Sequence, residues 1–152
     1  MTEISVGLRG VQTMVVEPHH LASFVGNIGV QVLSTHHVVL LMEQAARNAI
    51  ANRLPEDTIT VGTMIRIAHF GAALLGARVR AEGFLKHVEG RRLVFDVAAY
   101  DEHEQISEGE NEQLILPVAK FIRKLMRKQV DPDLVCRLLL EKKKHHGYTF
   151  FL

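Results

Sequence analysis

The chain is poor in the residues that staple, kink or stack. Its 152 residues include no tryptophan, two tyrosines, four prolines and one cysteine. A lone cysteine, Cys136, excludes an internal disulfide and a cysteine metal cluster, and it fits a reducing cytoplasm. Apolar runs fall well short of the roughly 20 residues that span a bilayer, so no membrane partner is expected. Residues 1–10 carry Glu3 and no apolar block of the signal-peptide kind. Nine histidines are present. The adjacent pairs His19-His20, His36-His37 and His145-His146 lack the i,i+4 spacing of helical metal ligands, so no metal is expected.

What is there fits one domain with a sizeable core, since 47% of the residues are apolar. The net charge of +1 hides an asymmetry. Residues 1–117 hold 9 Lys/Arg against 14 Asp/Glu, and residues 118–152 hold 9 against 3. An acidic body over 1–117 is therefore followed by a basic extension over 118–152, expected to form an amphipathic helix over Val118–Gln129 and a second from Asp131 to about Lys143, and to lie on or beside the body. Such a tail suits an anionic ligand, docking on its own or a neighbouring subunit, or simply a solvated helix face. Only Phe121 sits among its basic residues, on the apolar face, which argues against nucleic acid as a partner.

The densest pattern runs from Ser34 to Arg53. Capping-type residues open it, apolar residues fill it from Val38 to Ala46, and Leu54-Pro55 closes it. That predicts one helix, apolar on most sides, with Glu43 near its middle. A helix this apolar needs a wrapper. Val11–Val16 is a short strand ended by Glu17-Pro18, with a helical turn or two over His19–Val25 and a glycine loop at Gly26–Gly29. From Thr58 the period becomes two. Val61, Thr63, Ile65, Ile67 and His69 share one face, with Gly62, Met64 and Arg66 on the other. Further strands follow over Arg78–Val88, from Leu93 to Ala99, and over Gln105–Leu116, the last with Gly109 as a candidate bulge. Four consecutive strands joined by short turns predict a meander. The fold class is α+β, one curved antiparallel sheet around one helix. Open edge strands predict pairing into a homodimer or higher oligomer.

Three polar residues stand out, each with a plain structural alternative. Glu43 lies in apolar surroundings that suit an acid or base, but it is also placed to pair with Arg47 at i+4. His69 lies on the strand face that looks at the helix, as a general acid/base or as a satisfied core or rim residue. Thr35 is first of all a helix N-cap. Thr35 and Glu43 are separated by about 12 Å of helical rise. A site using both needs a substrate that spans them or residues from a second subunit.

The segments VLSTHHVVLLMEQAARNAI, TVGTMIRIAHFGAALLGARVRAEG and EGRRLVFDVAAYDEHEQISEGENEQLIL resemble the hotdog-fold thioesterases, most of all the fluoroacetyl-CoA thioesterase type. The resemblance covers roughly residues 10–120. It implies a hotdog fold and hydrolysis of a small or medium acyl-CoA, with coenzyme A entering only as part of the substrate and no separate cofactor. It implies that His69 is the general acid/base, that Glu43 is the base or nucleophile and that Thr35 positions the thioester or its water. It further implies substrate contacts at Gly62, Phe24 and Phe70, and a site between two subunits. Hotdog domains also serve as ligand sensors, so a non-catalytic acyl-CoA-binding protein is the alternative. Two stretches depart from that type. The last strand reads Gly109-Glu-Asn-Glu-Gln113 where the type tends toward a His and an Arg, and Gly26 and Gly29 occupy the region of its phenylalanine lid, with only Phe24 nearby.

Overall fold

The structure, a computed structural model, describes residues 3–128, 133 and 137. The long helix, α1, spans Thr35–Ile50. Its N-cap is Ser34, whose extended backbone lets the hydroxyl accept from the His37 N–H at 3.4 Å. Thr35 is thus the first helical residue rather than the cap, and its side chain is released for another use. Val38, Leu41, Met42, Ala45, Ala46, Ala49 and Ile50 are buried. A short 3-10 turn over Ala51–Arg53 ends the helix, and Pro55 cannot continue it.

Five antiparallel strands surround α1: β1 (Arg9–Val15), β2 (Thr58–His69), β3 (Arg78–Glu89), β4 (Arg92–Tyr100) and β5 (Gln105–Pro117). Their spatial order is β1-β3-β4-β5-β2. The four-strand meander expected from the sequence is therefore a three-strand one. β2 pairs with β5, not with β3, and lies at an edge. The connection from β2 to β3 crosses the end of the sheet. Phe70 and Gly71 donate to Ile106 at the start of β5, Ala73 accepts from Leu33, and Gly76 and Ala77 bond with Val16 just past β1. Each end of this segment is thus anchored to a different strand, which is how a short connection spans the sheet.

The helix sits off-centre, chiefly against β1 and β3. The register explains this. Gly10 on β1 pairs directly with Gly83 on β3. A Cβ at Gly10 would collide with the backbone of Ala45 and Ala49, and one at Gly83 would lie 2.7 Å from Ala46 Cα. Two facing glycines and three helix alanines let the backbones approach closely. Val79, Ala81, Leu85, Leu93, Phe95, Val97 and Ala99 complete the core on that side.

The β2–β5 half is less covered. No residue of β2 is fully buried, and the buried residues of β5 include Ser107, Asn111 and Gln113. Gly109 keeps its register with Ile67 and Val97, so it is not the bulge expected there. A Cβ at that position would collide with the Arg66 backbone, so glycine serves close strand approach instead. The bulge lies at Thr63, between Gly62 and Met64. Beyond Pro117 the short helix α2, Val118–Met126, exposes Lys120, Arg123 and Lys124 and half-buries Phe121, Ile122 and Leu125. The second tail helix expected from about Asp131 to Lys143 falls almost wholly outside the described residues.

Candidate active site

Two of the sequence-predicted residues meet. Thr35 Oγ1 lies 2.9 Å from His69 Nδ1. The contact joins the first turn of α1 to the last residue of β2, 34 positions apart in sequence. Local order explains the pairing. Ser34 takes the capping role, which frees Thr35, and the bonds of Phe70 and Gly71 to Ile106 fix the end of β2 beneath the helix N-terminus. His69 Nε2 is buried and has no hydrogen-bond partner among the described residues. Burial lowers the His69 pKa below its ordinary 6.5, while the nearby Gly71 backbone works in the opposite direction. The imidazole is therefore held neutral near pH 7, with Nδ1 engaged and Nε2 left to take or give a proton.

Glu43 stands two helical turns further on, against a different part of β2. No ion pair joins it to Arg47 among the described residues. Its carboxylate rests at Gly62, where a Cβ would collide with Glu43 Oε1. This corrects the strict period-two reading, which put Gly62 on the face opposite Val61 and His69. One extra residue, Thr63, shifts the phase of the strand. Gly62 then faces inward opposite Gln113, while Ile65 and Ile67 stay inward opposite Asn111 and Gly109. Within one chain, then, Thr35 and His69 form one pole, and Glu43 with Gly62 forms another.

Phe24 and Phe70 are 70% and 59% exposed. Phe70 follows His69 directly. Phe24 lies in the segment between Leu21 and Leu33, which a bridge between Val32 and Leu74 ties to the β2–β3 connection. Together with Ile28, Leu74 and Leu75 these residues give both segments an exposed apolar character beside the Thr35–His69 pole.

Sequence reasoning missed the polar lining of the inner wall. Asn111 Nδ2 donates to Met64 O at 3.1 Å, and Gln113 Nε2 donates to Asn111 Oδ1 at 2.9 Å. Ser107 Oγ donates to Ala68 O at 2.8 Å. Little in the sequence marks this wall, because Ser107, Asn111 and Gln113 share the period-two face of Gln105, Gly109 and Ile115, a mostly polar pattern that reads as solvent-facing although it is buried. A cluster of His19, His20 and His37 beside Ser34 was also not foreseen. The His19–His20 and His20–His37 ring centroids are 3.9 and 4.8 Å apart, and His37 Nδ1 lies 2.7 Å from Ser34 Oγ. Among the described residues no group of three or more His, Cys, Asp or Glu side chains is arranged to hold a metal ion.

A curled antiparallel sheet on one long helix is the architecture of several solved structures. A thioesterase-superfamily member from Thermus thermophilus superposes with a TM-score of 0.76 at 34% identity, over 85% of this chain and 95% of that one. The fluoroacetyl-CoA thioesterase FlK superposes with a TM-score of 0.77 at 30% identity, over 84% and 98%. A hot-dog-like protein from Thermanaerovibrio acidaminovorans, 21% identical with a TM-score of 0.77, shares the fold. The protein is thus a hotdog-fold thioester hydrolase. Residues 16–119 match the family model described as fluoroacetyl-CoA-specific thioesterase. The fluoroacetyl-CoA thioesterase of Streptantibioticus cattleyicolor is 35% identical over 98 residues, 64% of this chain and 70% of that protein. The chain belongs to the fluoroacetyl-CoA-specific thioesterase family.

Proposed function

We propose that the protein hydrolyses the thioester of a small or medium acyl-CoA, with His69, Thr35 and Glu43 as the working side chains. The observation that carries this reading is the 2.9 Å contact between Thr35 Oγ1 and His69 Nδ1, which leaves Nε2 unpartnered. Water bonds to the thioester carbonyl carbon as its proton passes to Nε2. The C–S bond then breaks, and the same proton goes to the departing sulfur, giving the free thiol of coenzyme A and a carboxylic acid, which releases its own proton to solvent to become the carboxylate. The Thr35 hydroxyl holds the ring in place and lies at the N-terminus of α1. There the first-turn N–H groups and the helix dipole favour the oxyanion that develops on the carbonyl oxygen.

Glu43 is assigned as the alternative base for that water, in place of Nε2, or as the nucleophile that attacks the carbonyl itself. Its distance from the Thr35–His69 pole favours a site completed by a second copy of the chain, in which Glu43 of one copy serves the pole of the other. The uncovered β2 edge, 12 residues long, is a natural surface for such pairing. The basic extension, residues 118–152, is assigned to the same protein body as an accessory element, with the exposed cations of α2 available to substrate phosphates.

An acyl-CoA panel assayed by thiol release tests this reading. The wild type is expected to turn over at least one short or medium acyl-CoA, and Glu43→Gln is expected to lose most of that rate. Binding of acyl-CoA without turnover across the panel would leave a ligand-sensing role instead.

A further inference from the structure

Only two buried side-chain atoms among the described residues lack a hydrogen-bond partner: His69 Nε2 and Gln113 Oε1. The first belongs to the site already described. The second lies in the wall behind Glu43, and its surroundings determine what Gln113 does.

The chemistry of the wall orients every amide in it. Met64 O can only accept, so Asn111 must turn Nδ2 toward it. That leaves Asn111 Oδ1 facing Gln113, which must answer with Nε2. The same Nε2 reaches 3.4 Å toward the backbone carbonyl of Glu43. The remaining atom, Oε1, has no partner. A chain of carboxamides therefore runs from the bulge on β2, through β5, to the α1 turn that carries Glu43. Gln113 is fully buried, as is Asn111 at 1% exposure. The bulge is gripped from outside as well. Thr63 Oγ1 donates to Glu112 Oε1 at 2.9 Å, and Glu112 in turn meets Arg92 at 2.6 Å.

These contacts matter because of what the bulge does. It turns Gly62 inward, against the Glu43 carboxylate. Without the extra residue the strand would present its other face there. A leucine or methionine at 113 would fill the same space and remove the unpaired Oε1, but it would strip the buried Asn111 Oδ1 of its donor. We propose that Gln113, through Asn111, is a positioning residue for Glu43: it ties the Thr63 bulge and the Glu43 turn of α1 into one rigid wall.

The proposal rests on the reading of Glu43 as the catalytic carboxylate, and the test separates the two. Steady-state thiol release is measured for the wild type, Gln113→Met, Glu43→Gln and the double variant, with thermal melts alongside. Gln113→Met keeps length and volume but removes the tie. It is expected to stay folded and to lose kcat by roughly 10- to 100-fold, the scale of a small misplacement of a reacting group, with KM within about twofold. In the Glu43→Gln background the same change is expected to cost nothing further, because the residue acts through Glu43. If Gln113→Met does not fold, Gln113→Asn replaces it, since the shorter amide cannot reach both Asn111 and the α1 carbonyl. A kcat within twofold of wild type in the folded variant overturns the proposal, as does an equal loss in both backgrounds. A wild-type rate in Glu43→Gln overturns the catalytic reading of Glu43 itself.

Discussion

At the scale of single residues, the chemistry of the site depends on which group takes which hydrogen bond. Thr35 reads from sequence as a helix cap. Ser34 takes that role, and one position of difference converts Thr35 from a structural residue into the partner of His69. The histidine itself was legible, because odd positions from Ile65 onward do face the helix. Gly62 was not, because a one-residue bulge leaves no mark in a period-two pattern. The residue scale carries two predictions. Burial lowers the His69 pKa, so the neutral form that accepts a proton persists below pH 6.5. The acid limb of kcat/KM should therefore have its midpoint below that of an ordinary histidine, and a midpoint clearly above 6.5 would contradict the assignment. Gly62→Ala should displace the Glu43 carboxylate, because the added Cβ would occupy its place. The expected result is a loss of about tenfold or more in kcat with the fold retained, read by thiol release beside circular dichroism.

At the scale of elements, α1 and the strands were legible from capping, period and turn residues, but their spatial order was not. Local pattern says where a strand begins and ends. It does not say that a connection carrying Phe70–Ala77 will cross the end of the sheet rather than turn back as a hairpin. The half-polar inner face of β2, with Thr58, Thr60 and Gly62 on one side of the bulge, gave no preference for β3 over β5. The seat of the helix is the firmer link between sequence and packing. Gly10 and Gly83 form a cross-strand pair beneath Ala45, Ala46 and Ala49. Gly83→Val must push α1 away from the sheet and is expected to cost about 1–3 kcal/mol or more, as overpacking of a filled core does. Chemical denaturation would measure it, and an unchanged midpoint would refute the tight-seat explanation.

At the scale of the molecule, stability and assembly follow from the same groups. His20, His37 and His69 all have pKa values lowered from 6.5, in each case first by burial. Below about pH 6.5 the unfolded chain therefore binds more protons than the folded one. Stability from these residues is complete above that pH and declines as pH falls through the window beneath it. The melting temperature should drop modestly between pH 7.5 and 5.5, since all three rings are partly solvated, and a rise on acidification would contradict the reading. Assembly is testable by complementation. Co-expressed Glu43→Gln and His69→Ala chains should recover roughly a quarter of wild-type activity if each site draws on both copies of a symmetric dimer, and none if each chain is self-sufficient.

The Thr35–His69 pair is the centre of the account, and a mutant cycle in thiol release tests it most directly. kcat/KM is measured with the best acyl-CoA substrate for the wild type, Thr35→Val, His69→Ala and the double variant. His69→Ala should lose roughly 10²- to 10⁴-fold, the usual worth of a general acid/base. Thr35→Val should lose less, and the double variant should be no slower than His69→Ala, because the hydroxyl works through the ring. A His69→Ala enzyme that hydrolyses at the wild-type rate would contradict the account at its centre.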